Sequence, residues 1–323
     1  MDLDGNRILL GMTPEQRQDF ERDGFLVLPG FFKGEELERL LAAVEDVAGR
    51  VRAAKGLTDQ DHFAVRNALA HHEAILDLID HRRVLPLVVD AIGWNIQIRT
   101  SHLDYRPPYP EHIQAGEVGV GKGADHAAGY RNLVWHADLC GPYLFEAPSF
   151  DGHVPFMEIK VGYFLSDVTQ PNSGAIRLVP GSYRRKPAEL REMGGRVPDD
   201  QVLELNVEPG TALLWRTATW HCVTPNLGPL TRKVIYVGYH YRWLRPTDYV
   251  RQDPKLVDAS SPIRRQLLGE LATGGDLMGS DPLWEPASQQ WIPFNWDDVP
   301  LKAWAEARAR EQLAGREQGE EAR

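Results

Sequence analysis

The sequence predicts a mainly β fold with helical additions, and three observations carry that expectation. After Gly93, apolar residues recur at every second position in short runs; Gly, Pro and Asn turns separate the runs; and no helical period lies between them. Many short strands without intervening helices close into a sandwich or a barrel. Residues 1–92 read differently, as mostly helical, and 244–323 as a C-terminal extension around the 93–243 core. With no internal repeat and no linker-like tract, one domain over 1–323 is expected.

The first helix is predicted from Thr13 as N-cap, with Pro14 at the first helical position, and ends at Asp23-Gly24. Phe25 and Val27 suggest a short strand, closed by Pro29-Gly30. From Lys33 to Ala54, Leu37, Leu40, Leu41, Val44 and Val47 form one apolar helical stripe. A further helix is expected over Ala74–Val89, interrupted at Pro86. Beyond Gly93, Ile96, Ile98, Thr100 and His102 alternate with Gln97, Arg99 and Ser101 before Arg106-Pro107-Pro108 stops the strand. The other strand-like runs are 131–137, 158–165, 175–179, 202–207, 211–221 and 233–243. Their turns are Pro171-Asn172-Ser173-Gly174, Pro180-Gly181-Ser182, Glu208-Pro209-Gly210 and Pro225–Pro229. Glu111–Gly129 is Gly-rich and aperiodic, a long loop of the kind that serves as a lid, as does the stretch 141–157. A last helix is expected from Leu301 to about Gln318.

Composition narrows the function. Hydrophobic residues make up 42% and charged residues 25%, which excludes disorder. Lys and Arg number 36 against 46 Asp and Glu, and the net charge of −10 argues against nucleic acid or an anionic membrane as partner. Two cysteines, Cys140 and Cys222, provide no disulfide framework and read as small buried residues, so a reducing cytoplasmic setting fits. No signal peptide and no bilayer-length apolar run is present.

The most informative residues are Trp135-His136-Ala137-Asp138-Leu139. Along an extended chain positions i and i+2 share a face, so His136 and Asp138 can offer an imidazole nitrogen and a carboxylate oxygen to one ion. Such triplets also arise by chance. His221, at the end of the apolar run from Thr211, supplies a third ligand. Two imidazoles and one carboxylate on one side of an ion form the facial set of non-haem Fe(II) oxygenases, and zinc accepts the same donors. Arg232 follows eleven residues after His221, beyond a turn. Its guanidinium can grip a carboxylate with two parallel hydrogen bonds, although a surface Arg in a turn is an ordinary alternative.

Taken in order, TPEQRQDFERDGFLVLPGFF, LDYRPP, WHAD, VGYFLSDVTQPNSGAIRLVPGSY, EPGTALLWRTATWHCVTPN and the Arg232 strand resemble the phytanoyl-CoA dioxygenase family of Fe(II)/2-oxoglutarate oxygenases over about residues 13–243. The resemblance implies a double-stranded β-helix, that is, a jelly-roll or cupin-like core flanked by N-terminal helices. It implies His136, Asp138 and His221 as iron ligands and Arg232 as the partner of the distal 2-oxoglutarate carboxylate. His102, helped by Thr100, and Asn132 are further candidate cosubstrate contacts on the same basis. The cofactor and cosubstrates implied are Fe(II), 2-oxoglutarate and O2, with succinate and CO2 released. Where the family often has a Ser two residues after the distal His this chain has Val223, and PGSY replaces the commoner PGSH, a change expected to be structural.

The expected reaction is hydroxylation of an unactivated C–H bond of a small organic molecule. Asp138 favours it, because related halogenases have a small residue there. Desaturation, ring closure and epimerisation begin with the same hydrogen abstraction and stay open. So do two other classes: a metal-dependent hydrolase on the same three ligands and a non-catalytic jelly-roll binder. Arg184-Arg185-Lys186 reads as a solvated turn, His71-His72-Glu73 as helix decoration, and Gly119-x-Gly121-x-Gly123 lacks the context of a nucleotide loop.

Overall fold

The computed structural model describes residues 2–3, 6–109, 134–138, 151–270 and 299–321, so segment 111–129, most of 141–157, Asn132 and Cys140 lie outside the described residues. In chain order the strands are β1 (Asp2–Leu3), β2 (Asn6–Arg7), β3 (Phe25–Leu28), β4 (Phe63–Arg66), β5 (Ile96–Arg106), β6 (Glu158–Phe164), β7 (Ile176–Leu178), β8 (Leu203–Leu205), β9 (Thr211–Arg216), β10 (His221–Val223) and β11 (Arg232–Tyr241). The helices are α1 (Pro14–Asp23), α2 (Glu35–Lys55), α3 (Glu73–Leu76), α4 (Leu85–Ile92), α5 (Pro187–Glu192), α6 (Pro254–Asp258), α7 (Pro262–Leu267) and α8 (Pro300–Glu321).

Two antiparallel sheets face each other. The larger runs β3-β9-β6-β11-β5-β4, the smaller β10-β7-β8. Between them pack Phe25, Phe164, Leu213, Trp215, Val234 and Tyr236 from one side and Ile176, Leu178 and Leu205 from the other. The outer face of the large sheet, with Leu103, Tyr105, Val161, Tyr163, Leu214, Ile235 and Val237, is covered by the helices. The two-sheet interior with its sequence-distant strand pairs is the jelly-roll the sequence leads one to expect.

Local chemistry accounts for the covering layer. Thr13 caps α1 through Oγ1, which accepts from the Gln16 N–H, while the Gln16 side chain accepts the Thr13 N–H in return. On α2 the buried stripe is Leu40, Ala43, Val44, Val47 and Ala48, with Leu37 and Leu41 at its edge. The helix expected over Ala74–Val89 is two helices, α3 and α4, and Pro86 falls in the first turn of α4, where no backbone donor is required of it. His72 is the N-cap of α3, its Nδ1 accepting the Ala74 N–H. α8 packs Leu301, Ala305 and Ala309 onto the same core. No helix among the described residues is long and apolar enough to cross a membrane.

A bulge in β5 decides which side chains reach the interior. Gly238 pairs with Thr100 and Tyr239 with Ile98, so Arg99 has no partner in the register. An extra residue reverses the alternation, because side chains change face at every position. Ile96 and Ile98 therefore join the helical core, and the polar positions Thr100, His102 and Asp104 turn toward the space between the sheets. β11 and β6 set Tyr236 opposite His102 and Gly162, and Gly238 opposite Lys160.

Candidate metal centre and its surroundings

The run Thr211–His221 is not one strand. β9 ends at Arg216, the chain turns through 217–220, and His221 opens β10 in the other sheet. The turn has its own fastenings: Thr219 N–H donates to the Arg216 carbonyl, and Trp220 N–H donates to Ser182 Oγ at 2.8 Å. Ser182 belongs to the PGSY segment, whose Tyr183 hydroxyl donates to the Glu21 carbonyl, the structural role expected of that segment. On the other side, His136 and His221 exchange both backbone hydrogen bonds, at 3.0 and 2.9 Å, as an isolated antiparallel bridge. This bridge, with Asp138 N–H donating to the Thr217 carbonyl at 2.8 Å, replaces the expected strand over the described part of 131–137.

The bridge brings the two rings together, 4.3 Å between centroids and inclined by 51°. His136 Nδ1 lies 2.9 Å from the Val134 carbonyl and His221 Nδ1 lies 2.8 Å from the Thr219 carbonyl. A carbonyl only accepts, so each Nδ1 carries the hydrogen, and a neutral ring then presents the Nε2 lone pair. Burial, and next the His136 ring beside it, push His221 down to about 3, so it is neutral at ordinary pH. His136 Nε2 is 3.9 Å and His221 Nε2 3.6 Å from the Asp138 carboxylate, and the candidate ligand atoms of all three lie within 4.8 Å of one another. Among the described residues these three make the one such His/Cys/Asp/Glu group. The donor set fits a divalent ion: nitrogen lone pairs of fixed tautomer, a carboxylate held ionised, and carbonyls behind the rings that keep them in place.

Burial opposes ionisation of Asp138, but the Lys160 ammonium, then His221 and His136, outweigh it and hold the carboxyl well below its usual range. Lys160, on β6, donates to Asp138 Oδ2 at 2.6 Å. Glu158, two positions earlier on the same face, is held by Arg99 at 2.6 Å, which is what the bulge makes possible. Burial raises the Glu158 carboxyl above its usual range despite Lys160 and Arg99.

Arg232 is fully buried at the start of β11. Its Nε donates to the Gly174 carbonyl at 2.5 Å, one Nη to Asp104 Oδ2 at 2.6 Å and the other to the Tyr236 hydroxyl at 2.6 Å. Among the described residues, the second N–H of each Nη has no acceptor. The Pro171–Gly174 turn exists in this form for the guanidinium: Gly174 has φ +86°, and a Cβ there would stand 2.4 Å from Arg232 Cδ. Asp104 also forms an ion pair with Arg106, whose Nε lies 2.9 Å from the same Oδ2. Burial works against its charge, but Arg106 and Arg232 prevail and hold it well below the usual carboxylate range.

Arg232 and the His–Asp–His group stand on opposite sheets and are joined by a run of rings. Tyr236 meets Trp215 edge-on at 5.8 Å, and Trp215 meets His221 edge-on at 5.9 Å. His102 packs against Tyr236 with ring centres 4.7 Å apart and planes tilted by 32°, and burial, then Lys160, push it down to about 3. Thr100 donates its hydroxyl to Asp248 at 2.7 Å, so that hydroxyl is engaged by the C-terminal extension. Cys222 is buried in the outer layer of the small sheet with Trp135, Val179, Leu190 and Trp220, and burial pushes its thiol up to about 12, as suits an inert packing residue. Arg184 donates to the Arg22 carbonyl, Arg185 pairs with Glu189 and Lys186 with Asp151, so the basic triplet is a pinned turn. A cleft of about 340 Å³ on the helical layer, between Gln16, Arg83 and Arg308, is lined by none of His136, Asp138, His221 and Arg232.

Sequence reasoning missed Lys160, Asp104, Tyr236 and Glu158. A signal existed: in Glu158-Ile-Lys-Val-Gly-Tyr-Phe164 the polar and small residues occupy alternate positions of a strand that is buried throughout.

Comparison with known proteins agrees with the fold and the order of motifs. The model of the family described as phytanoyl-CoA dioxygenase matches residues 20–234. Among curated relatives, an ectoine dioxygenase of Bordetella parapertussis is 25% identical over 258 residues, covering 71% of this chain and 75% of that protein. Among solved structures, HygX from Streptomyces hygroscopicus with nickel and 2-oxoglutarate bound aligns with a TM-score of 0.54 at 19% identity, covering 78% and 94% of the two chains. EctD from S. alaskensis with 2-oxoglutarate and 5-hydroxyectoine aligns with a TM-score of 0.53 at 20% identity, covering 73% and 78%.

Proposed function

The chain belongs to the phytanoyl-CoA dioxygenase family and is a 2-oxoglutarate-dependent non-haem iron dioxygenase, and on that premise we propose that His136, Asp138 and His221 hold the iron, that Arg232 receives the distal carboxylate of 2-oxoglutarate, and that the reaction is hydroxylation of a small polar molecule. The observation that carries the site is the pair of Nδ1–H to carbonyl bonds, which leave both Nε2 atoms free to face the ionised Asp138 carboxylate, all three within 4.8 Å of one another. Iron bound there supplies the oxygen and 2-oxo acid chemistry.

The remaining roles are binding and orientation. Arg232 keeps an N–H on each Nη for a carboxylate while Gly174, Asp104 and Tyr236 fix its plane. Two guanidiniums, Arg106 and Arg232, face the single Asp104 carboxylate, so this end of the interior has an excess positive charge that an anion would neutralise. His102, neutral and packed against Tyr236, borders the same end and is the better of the polar candidates on β5, since the Thr100 hydroxyl is already donated to Asp248. The polar lining of Lys160, Glu158 and Arg99 near the metal site supports a polar substrate, as does the ectoine-directed name of the relative.

The test is anaerobic addition of Fe(II) and then 2-oxoglutarate to the full chain. A visible charge-transfer absorption that requires both, and that is lost in Asp138→Ala, supports the proposal. Absence of the band in the unaltered protein, or turnover of a substrate with neither 2-oxoglutarate nor O2, would refute it, the latter in favour of hydrolysis.

A further inference from the structure

Lys160 has no part in the three-ligand set, yet its ammonium bonds directly to one of the three. It lies mid-strand on β6, 8% exposed, with its Nζ 2.6 Å from Asp138 Oδ2 and 5.9 Å from the centre of the Trp215 ring. A lysine this buried needs a carboxylate partner. Two acids are in reach, Glu158 on its own strand face and Asp138 across the interior. The Glu158 carboxylate is claimed by Arg99, and the Lys160 ammonium goes to Asp138. The β5 bulge thus sorts the two cations between the two acids.

We propose that Lys160 is a positioning residue that restricts Asp138 to binding the metal through a single oxygen. The inference rests on the ligand assignment made above and concerns the number of positions that assignment leaves open. A carboxylate bound through both oxygens takes two positions; with two histidines that makes four of six, and the 2-oxo acid chelate and dioxygen together need three. An ammonium held against one carboxylate oxygen prevents the second bond. Trp215 is the cross-strand partner of Lys160 on β9, with its ring centre 5.9 Å from Nζ. The consequence is a metal site whose three remaining positions stay available without any movement of the ligands.

The test compares the unaltered protein with Lys160→Met, whose unbranched side chain preserves the stem packing, and Lys160→Arg, which restores a cation. Mn(II) serves as the probe metal, because water-proton relaxivity counts the waters bound to it. In Lys160→Met the relaxivity of the Mn(II) form is expected to fall by about a third, one water of three being displaced by the second Asp138 oxygen. Mn(II) affinity is expected to be no weaker, and the Kd for 2-oxoglutarate to rise about ten-fold, since the chelate must displace that oxygen. Lys160→Arg should restore both values toward normal. Unaltered relaxivity and 2-oxoglutarate affinity in Lys160→Met would overturn the proposal, and so would loss of Mn(II) binding in a folded variant, which would make Lys160 a plain support for Asp138. Should Lys160→Met not fold, Lys160→Gln enters the same comparison with the same criteria. If the unaltered protein binds no Mn(II), or Asp138→Ala binds it equally well, the ligand assignment itself fails, a result distinct from either outcome for Lys160.

Discussion

Replacing Arg232 by Met separates what the guanidinium does for the fold from what it does for a ligand. Three hydrogen bonds are lost, to the Gly174 carbonyl, Asp104 and the Tyr236 hydroxyl, all in a residue with no exposed surface. Asp104 is not abandoned, because Arg106 Nε stays 2.9 Å from the same oxygen. The loss is therefore below that of a stranded buried charge and is dominated by two unpartnered neutral groups and one weakened ion pair, about 3 kcal/mol in total. For a chain of this length that corresponds to a fall in Tm of roughly 4 °C. Binding of 2-oxoglutarate to the iron-loaded protein should lose a charge-assisted contact of about 1.5–3 kcal/mol, which is roughly 10- to 150-fold in Kd. Thermal unfolding and anaerobic titration of the charge-transfer band measure the two effects on one sample. Lys in place of Arg232 should recover part of the affinity, because it keeps the charge without the planar fork. A Met variant that melts lower but binds 2-oxoglutarate as tightly as the unaltered protein would refute the cosubstrate role and leave Arg232 a structural residue.

Acid should weaken the metal-free fold before its carboxylates titrate. Burial pushes His102 and His240 down to about 3, whereas in the unfolded chain both titrate near 6.5; the unfolded state thus binds more protons between those values, and stability, complete above 6.5, falls as the pH drops. Each histidine contributes a slope of about 1.4 kcal/mol per pH unit, so urea midpoints measured from pH 7 to 5 should fall steadily, less steeply in His240→Gln, and a flat profile would contradict the burial argument. Asp90 accepts the backbone N–H groups of Leu10, Gly11 and Met12 at 2.7, 2.7 and 2.8 Å, tying the N-terminal segment to α4. Asp90→Ala should cost about 2–4 kcal/mol, read as a lower urea midpoint at constant slope, with 2-oxoglutarate affinity unaltered; a change in that affinity would show that the segment communicates with the metal site.

Some of this molecule was legible locally and some was not. Thr13-Pro14 marked α1, because capping involves atoms within four residues. That His136 and Asp138 stand close together was legible, since i and i+2 share a face in any extended chain. The long strand ending in His221 was misread: Ala212–Trp215 is continuously apolar, and nothing in a single strand's pattern says that it stops at Arg216 and that His221 belongs to the opposite sheet. Helix Ala74–Val89 failed similarly, as Pro86 can either interrupt a helix or begin one. Lys160 passed unnoticed because a lone lysine in a strand reads as solvent-facing until the sheet that buries it is known.

The sequence alone determined the repertoire: which residues have metal-binding or anion-binding groups, which segments are stiff or turning, and the order of motifs that identifies the family. Pairing and parity were left to the tertiary structure. Whether Arg99 points in or out depends on one unpaired residue in β5, and whether Lys160 serves Glu158 or Asp138 depends on where Arg99 then points. Both are settled by hydrogen bonds between strands far apart in the chain, and such long-range register has no local signature because either face of an isolated strand is equally available to either set of side chains.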